Sequence, residues 1–213
     1  MSAPSSPGTS GPSPPPKPTV TSVPARLRDV PGLVRFYMGL SLEAQQMYHP
    51  FPRKPSRLFV TYLMLVVWQS YFKWVMRRRL SLVRLLMVAR VEGSPTIAGT
   101  ITLRGEFHAH LGWCVRAGLA TADGYRGLGI AVHNLRAGCT IAYGMGVRWQ
   151  IGSVFQSNQN LIRVQTGLGA RIFPIDQRDP YRPEEPRLGT ELELRKFLGI
   201  TDAPPESASP RQA

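Results

Sequence analysis

The chain has 213 residues, 43% of them hydrophobic, which is enough to bury one good-sized core. Its net charge of +13 and pI near 10.7 favour anionic partners such as phosphates, nucleic acid or an acidic membrane surface, without choosing among them. Two cysteines, Cys114 and Cys139, are too few for a disulfide framework or a cysteine-built zinc site, and their apolar surroundings point to buried free thiols in a reducing, cytoplasmic setting.

From the N-terminus, SAPSSPGTSGPSPPPKP is almost all serine, proline and glycine, so residues 1–22 are expected to be a disordered tail. It lacks the charged-then-apolar pattern of a secretion leader. VTSVPARLR (20–28) reads as a first strand, placed at a sheet edge by Pro24. Asp29 is positioned to cap a helix over 30–38, and Ser41 a second one that stops at Pro50. A long helix is expected over 57–79, ending in Arg77, Arg78 and Arg79, a cluster read as solvated surface. Its apolar run LFVTYLMLVVW (58–68) falls short of the roughly 18 residues of a membrane span. A helix packed on two sides is the expectation there, with an interfacial role as the lesser alternative.

The period then changes to two. LVRLLMVARV (82–91), a turn at EGSP, and TIAGTITLRGEF (96–107) form a β-hairpin pattern, and HLGWCVRAGLAT (110–121) continues as one strand or two. Past residue 130, Val132, Leu135, Cys139 and Ala142 share a helical face, with Gly144 at the C′ position. VRWQIGSV alternates as a strand, Asn158 can cap a helix through 166, and ARIFPI closes as a strand. Thr190 and Glu193 have capping-box spacing, so TELELRKFL (190–198) reads as a short helix. The expected fold is one α+β domain over 23–200, a mixed sheet with helices on both faces, followed by a second tail over 201–213.

The segment GYRGLGIA (124–131) stands where a strand gives way to a helix. Glycines there let bare N–H groups at the positive end of a helix form an anion nest. Neither a nucleoside-triphosphate loop nor a complete dinucleotide fingerprint fits the spacing. Arg126-Gly127-Leu128-Gly129-Ile130-Ala131 instead resembles the R/Q-x-x-G-x-G/A signature of the GNAT N-acetyltransferase superfamily. GLATADGY before it resembles that family's splayed central strand, and Asn158 eleven residues before Gly169 resembles its N…lGF segment. LRDVPGLVRFYMGLSLEAQQMYHPF resembles its opening elements. The resemblance covers about residues 23–175.

It implies a mostly antiparallel sheet with a V-shaped split between two central strands, and an acetyl-CoA-dependent N-acyltransferase acting by direct transfer. The N–H groups of Gly127, Leu128, Gly129, Ile130 and Ala131, beside Arg126, would hold the CoA diphosphate. Leu119, Ala120 and Thr121 would pair with the pantetheine arm, Thr121 also polarising the thioester carbonyl, and Asn158 would contact the cofactor or simply cap its helix.

This chain departs from the pattern where the family's usual proton-donating tyrosine falls on Gln165 and the closing phenylalanine on Ala170. Glutamine is no general acid near neutral pH. A catalytically weak CoA-binding or regulatory module is therefore the alternative. Glu106 and His108 are the candidate bases, with His110 and His49 as weaker ones. No metal is expected. The partners expected are acetyl-CoA and an amine-bearing acceptor of open identity, with no specific nucleic acid and no membrane span, the chain being a monomer or a homodimer.

Overall fold

The computed structural model describes residues 18–47, 52, 54–176 and 182–201. His49 and most of both tails lie outside them. Seven strands form one sheet: β1 (Val20–Pro24), β2 (Arg84–Val91), β3 (Gly99–His108), β4 (Gly112–Thr121), β5 (Trp149–Phe155), β6 (Arg171–Ile175) and β7 (Arg187–Glu193). Their spatial order is β1-β2-β3-β4-β5-β7-β6, and every neighbouring pair is antiparallel except β4 and β5. The sheet is thus mixed and mostly antiparallel, as expected. The domain boundary expected after residue 22 falls inside β1.

Helices cover both faces. Strand alternation sends Leu85, Met87, Ile101, Leu103 and Val115 to one face, where they pack with Leu135, Cys139 and Ala142 of α5 (Ile130–Gly144) and with Phe197 of α7 (Leu194–Leu198). Leu86 and Val88 point the other way, against Leu33 and Tyr37 of α1 (Val30–Met38) and Leu58, Tyr62 and Val66 of α3 (Pro55–Tyr71). Each such fully buried aliphatic side chain contributes roughly 1.5–3 kcal/mol. Among them sits Gln69 of α3, with both ends satisfied: its amide donates to the Ala25 carbonyl (2.8 Å) and its oxygen accepts from the Leu86 N–H (2.7 Å). It bonds the chain just past Pro24, where β1 stops. Among the described residues, no helix is long and apolar enough to cross a membrane.

Several local expectations are corrected. The helix expected over 57–79 is two, α3 and α4 (Lys73–Arg78), with the break at Phe72. No proline or glycine marks it. At the break Phe72 stacks on Trp68 (4.5 Å between ring centres), and the Trp68 indole donates to the Leu82 carbonyl. Asp29 precedes α1 without capping it, because its carboxylate accepts from the Arg26 N–H and from Arg90. Ser41 does cap α2 (Leu42–Met47). The left-handed residue after α5 is Gly146, not Gly144, with Gly146 N–H to Tyr143 and Val147 N–H to Ala142 closing a Schellman turn. Residues 187–193, where a helix is expected from Thr190 onward, are β7, inserted between β5 and β6. Thr190 is therefore in mid-strand and forms no capping box with Glu193.

Candidate active site

The parallel β4–β5 pair is in register only over Cys114–Arg116 with Trp149–Ile151. Beyond that point β4 continues to Thr121, bonded on one side to β3 alone, and the two central strands diverge. This is the expected V-shaped split. The N–H of Ala122 bonds the Ala98 carbonyl (2.9 Å), so the antiparallel alternation makes 122·98 and 120·100 the hydrogen-bonded pairs. The main-chain groups of Ala117, Leu119 and Thr121 consequently point into the split. Ala120, expected to pair with the pantetheine arm as well, turns its main-chain groups to β3 instead, and Ala117 presents its own to the split. A β4 edge carrying free N–H and C=O groups inside a folded domain needs a partner that can hydrogen-bond to it.

At the open end of the split the chain runs through Asp123–Tyr125 into the turn Arg126–Gly129 and then α5. Gly127 (φ 79°) and Gly129 (φ 76°) are both left-handed, and a Cβ on either would meet no atom within 4 Å. The space over them is open. Gly129 is the N-cap of α5 and no side chain caps that end. The first N–H groups of a helix have no partner within it, so those at the start of α5 face outward with the positive helix terminus behind them. Arg126 is exposed and ion-paired with Asp123, whose other oxygen accepts from the Ser41 N–H, bracing the turn against the start of α2. The residues expected to hold a diphosphate are thus together. Asn158, expected beside the acyl group, caps α6 (Gln159–Gly167) through its side-chain oxygen and the Leu161 N–H. Gln165 is buried, and its side-chain oxygen has no hydrogen-bond partner among the described residues.

Where the strands begin to part, one row of side chains crosses the sheet. Arg84, Arg104, Arg116, Ile151, Glu191 and Arg171 are in register on successive strands and so share a face. Glu106, one step along β3, accepts two bonds from Arg116 (both 2.7 Å) and one from Arg104 (3.3 Å). The hydrogen bond from Arg116, above all, holds the Glu106 carboxyl below its usual range, and Arg116 is raised in return. A carboxylate so occupied is a poor proton acceptor, which argues against Glu106 as the base. His108 has a buried Nδ1 without a hydrogen-bond partner among the described residues, and its ring centre lies 6.0 Å from that of His110.

His108 and Arg116 line a pocket of about 290 Å³ with Ile151, Phe173, Asp176 and Glu191. Glu191 is only 11% exposed, and its ion-pair partner, Arg171 at 3.5 Å, is 74% exposed. The one well-buried carboxylate of this pocket is therefore weakly neutralised. Reading 190–198 as a helix hid it, although the alternation Glu191-Leu192-Glu193-Leu194 carries a strand signal. Cys114, close by, is inert: burial pushes its thiol up to about 11.

No family model matches the sequence, and no curated protein matches it at a significant level. Solved structures do. A ribosomal-protein-S5-alanine acetyltransferase from Vibrio fischeri aligns over 84% of this chain and 94% of its own, with 10% identity and a TM-score of 0.65. The yncA protein of Salmonella typhimurium, solved with its cofactor acetyl-CoA, aligns over 89% and 99%, with 15% identity and a TM-score of 0.59. An N-acetyltransferase from Staphylococcus aureus aligns over 83% and 99%, with 15% identity and a TM-score of 0.57. The chain has the fold of the GNAT acetyltransferases.

Proposed function

We propose that this GNAT-fold chain transfers an acyl group, acetyl in the simplest case, from acyl-CoA to an amine by direct attack in a ternary complex. One observation carries the reading: a diverging β4–β5 pair whose free main-chain edge leads to an uncapped, glycine-flanked helix N-terminus. The diphosphate suits the N–H groups from Gly127 to Ala131, with Arg126 supplying a full positive charge beside them. The amides of the pantetheine arm suit the edge groups of Ala117, Leu119 and Thr121, and the Thr121 N–H would polarise the thioester carbonyl. Asn158, committed to its helix cap, is left out of this assignment.

The acceptor occupies the pocket at the foot of the split, its carbon body on Ile151 and Phe173 and its ammonium drawn to Glu191. The ammonium first gives up one proton to solvent; the free amine then attacks the thioester carbon and the carbon–sulfur bond breaks. The proton lost by nitrogen passes to Glu191, and solvent protonates the departing thiolate, because Gln165 has no proton to give. Holding both substrates in line supplies much of the rate in such a complex.

Thiol release from acetyl-CoA across a panel of amines, with acetyl-CoA binding measured by calorimetry, tests this. Arg126→Glu is expected to weaken acetyl-CoA by about tenfold or more. Glu191→Gln is expected to cut turnover by roughly 10²-fold and leave acetyl-CoA affinity unchanged. Binding of acetyl-CoA with no amine accelerating release would favour a second reading, a CoA-binding module without transfer, to which Gln165 and Ala170 already point. Absence of acetyl-CoA binding would overturn both.

A further inference from the structure

Residues 44–91 contain nine lysines and arginines and not one aspartate or glutamate. This segment supplies α3 and α4, and their packing leaves an apolar surface uncovered. On α3 the buried residues Leu58, Tyr62, Val66 and Gln69 form one stripe at helical spacing. Val60, Met64 and Tyr71 recur at helical spacing on the opposite side, 56%, 62% and 75% exposed. An ordinary surface helix carries polar residues on that side. Trp74 of α4, just past the break at Phe72, is also exposed, and the Arg78 guanidinium lies 4.1 Å over its ring. Lys73 and Arg77 are exposed on the same short helix, and Arg79 is exposed just past its end.

We propose that this outer face of α3 and α4 docks on an anionic lipid surface. The chemistry has three parts. Aliphatic and methionine side chains at helical spacing can enter the boundary between headgroups and acyl chains with the helix lying in the plane. Tyrosine and tryptophan at the end of the stripe suit the headgroup level, where their apolar rings and polar edges are both satisfied. A rim of lysine and arginine free of carboxylates is attracted to anionic headgroups, each cation near the surface adding roughly fivefold in affinity. The charge pattern also argues against the other simple occupant, a second copy of the chain. A symmetric contact would bring the same cations of both copies together with no local carboxylate to receive them. The inference does not rest on acyl transfer, since α3 and α4 are remote in sequence from the residues assigned to that reaction.

The test is co-sedimentation of the full chain with vesicles of phosphatidylcholine alone or with about one-third phosphatidylglycerol, at low and high salt. Binding is expected to the anionic vesicles only and to fall about tenfold or more at high salt. The paired substitution Tyr71→Ser with Trp74→Ser, and separately Arg77→Ala, Arg78→Ala and Arg79→Ala together, should each weaken it by roughly tenfold or more. The substituted side chains are exposed, so melting temperature and acetyl-CoA binding serve as controls for folding. No binding to anionic vesicles would overturn the proposal. So would binding lost with the arginines but indifferent to Tyr71 and Trp74, which would mean charge attraction without docking. A dimer of the unmodified chain that the Tyr71 and Trp74 substitutions dissociate would overturn it in favour of a second copy.

Discussion

Replacing Glu106 by glutamine removes one charge and almost no volume from the centre of the arginine row. Arg116 gives this carboxylate two bonds of 2.7 Å and Arg104 a third of 3.3 Å. Charge-assisted bonds are worth roughly 1.5–3 kcal/mol each when well shielded. Here both partners of the main pair are about a third exposed, 32% and 31%, so solvent screening cuts that figure. Glutamine also keeps one accepting oxygen while turning an NH2 group toward a guanidinium. A net loss of about 1–2 kcal/mol at neutral pH follows. In a domain of this size that lowers the melting temperature by about 3–6 °C.

The sign with pH is fixed by the direction of the Glu106 shift. Its carboxyl is depressed on folding, chiefly by the Arg116 hydrogen bond. Such a group stabilises the fold above its unfolded-state pKa and loses that contribution as pH falls through the folded one. The gap between the parent and Glu106→Gln should therefore be full at neutral pH and close in acid, below about pH 4. Thermal melts by circular dichroism across that range, beside amine-dependent thiol release at neutral pH, measure both effects. Turnover per folded molecule should change little. Unchanged melting together with a hundredfold loss of turnover would refute the reasoning and make Glu106 the proton acceptor after all.

Two further outcomes follow from packing. A Cβ at Gly105 would stand 2.0 Å from the Leu80 carbonyl oxygen, so Gly105→Ala should cost about 1–3 kcal/mol or more in denaturant unfolding, whereas Gly124→Ala, with nothing within 4 Å, should be near neutral. Burial pushes the Cys114 and Cys139 thiols up to about 11 and about 12, so neither should react with iodoacetamide at neutral pH until the chain is unfolded; rapid labelling of Cys114 in the native protein would contradict the packing around β4.

The left-handed glycines bear on how the proposed diphosphate site can be probed. Gly129 has φ 76° and nothing within 4 Å of a Cβ, so a valine there would be strained by backbone conformation alone. Lost cofactor binding in such a variant would not separate a filled ligand site from a reshaped turn. Arg126→Glu acts on the same loop through a side chain that is exposed, and it keeps the glycine backbone.

What the sequence determined by itself was local. The glycine turn at Gly127 and Gly129, the period-two runs of β2 through β5, the Ser41 and Asn158 caps and the amphipathic α5 all depend on residues within a few positions of one another, and each was legible. The glycine turn proposed for the diphosphate belongs to this class because a nest of N–H groups is built from consecutive residues. The pocket beside Glu191 does not. Arg116, Ile151 and Glu191 become neighbours only when β4 pairs with β5 and β7 inserts between β5 and β6, pairings between segments far apart in sequence. The same holds for Glu106. Its sequence position suggested a free base, and only the pairing of β3 with β4 put the Arg116 guanidinium in front of it. The break at Phe72 and the role of Asp29 likewise came from long-range partners, Trp68 with Leu82 and Arg90, that no local pattern announces. Short-range propensity specifies each element, but side chains from distant strands meet at a site only through burial shared across the whole sheet.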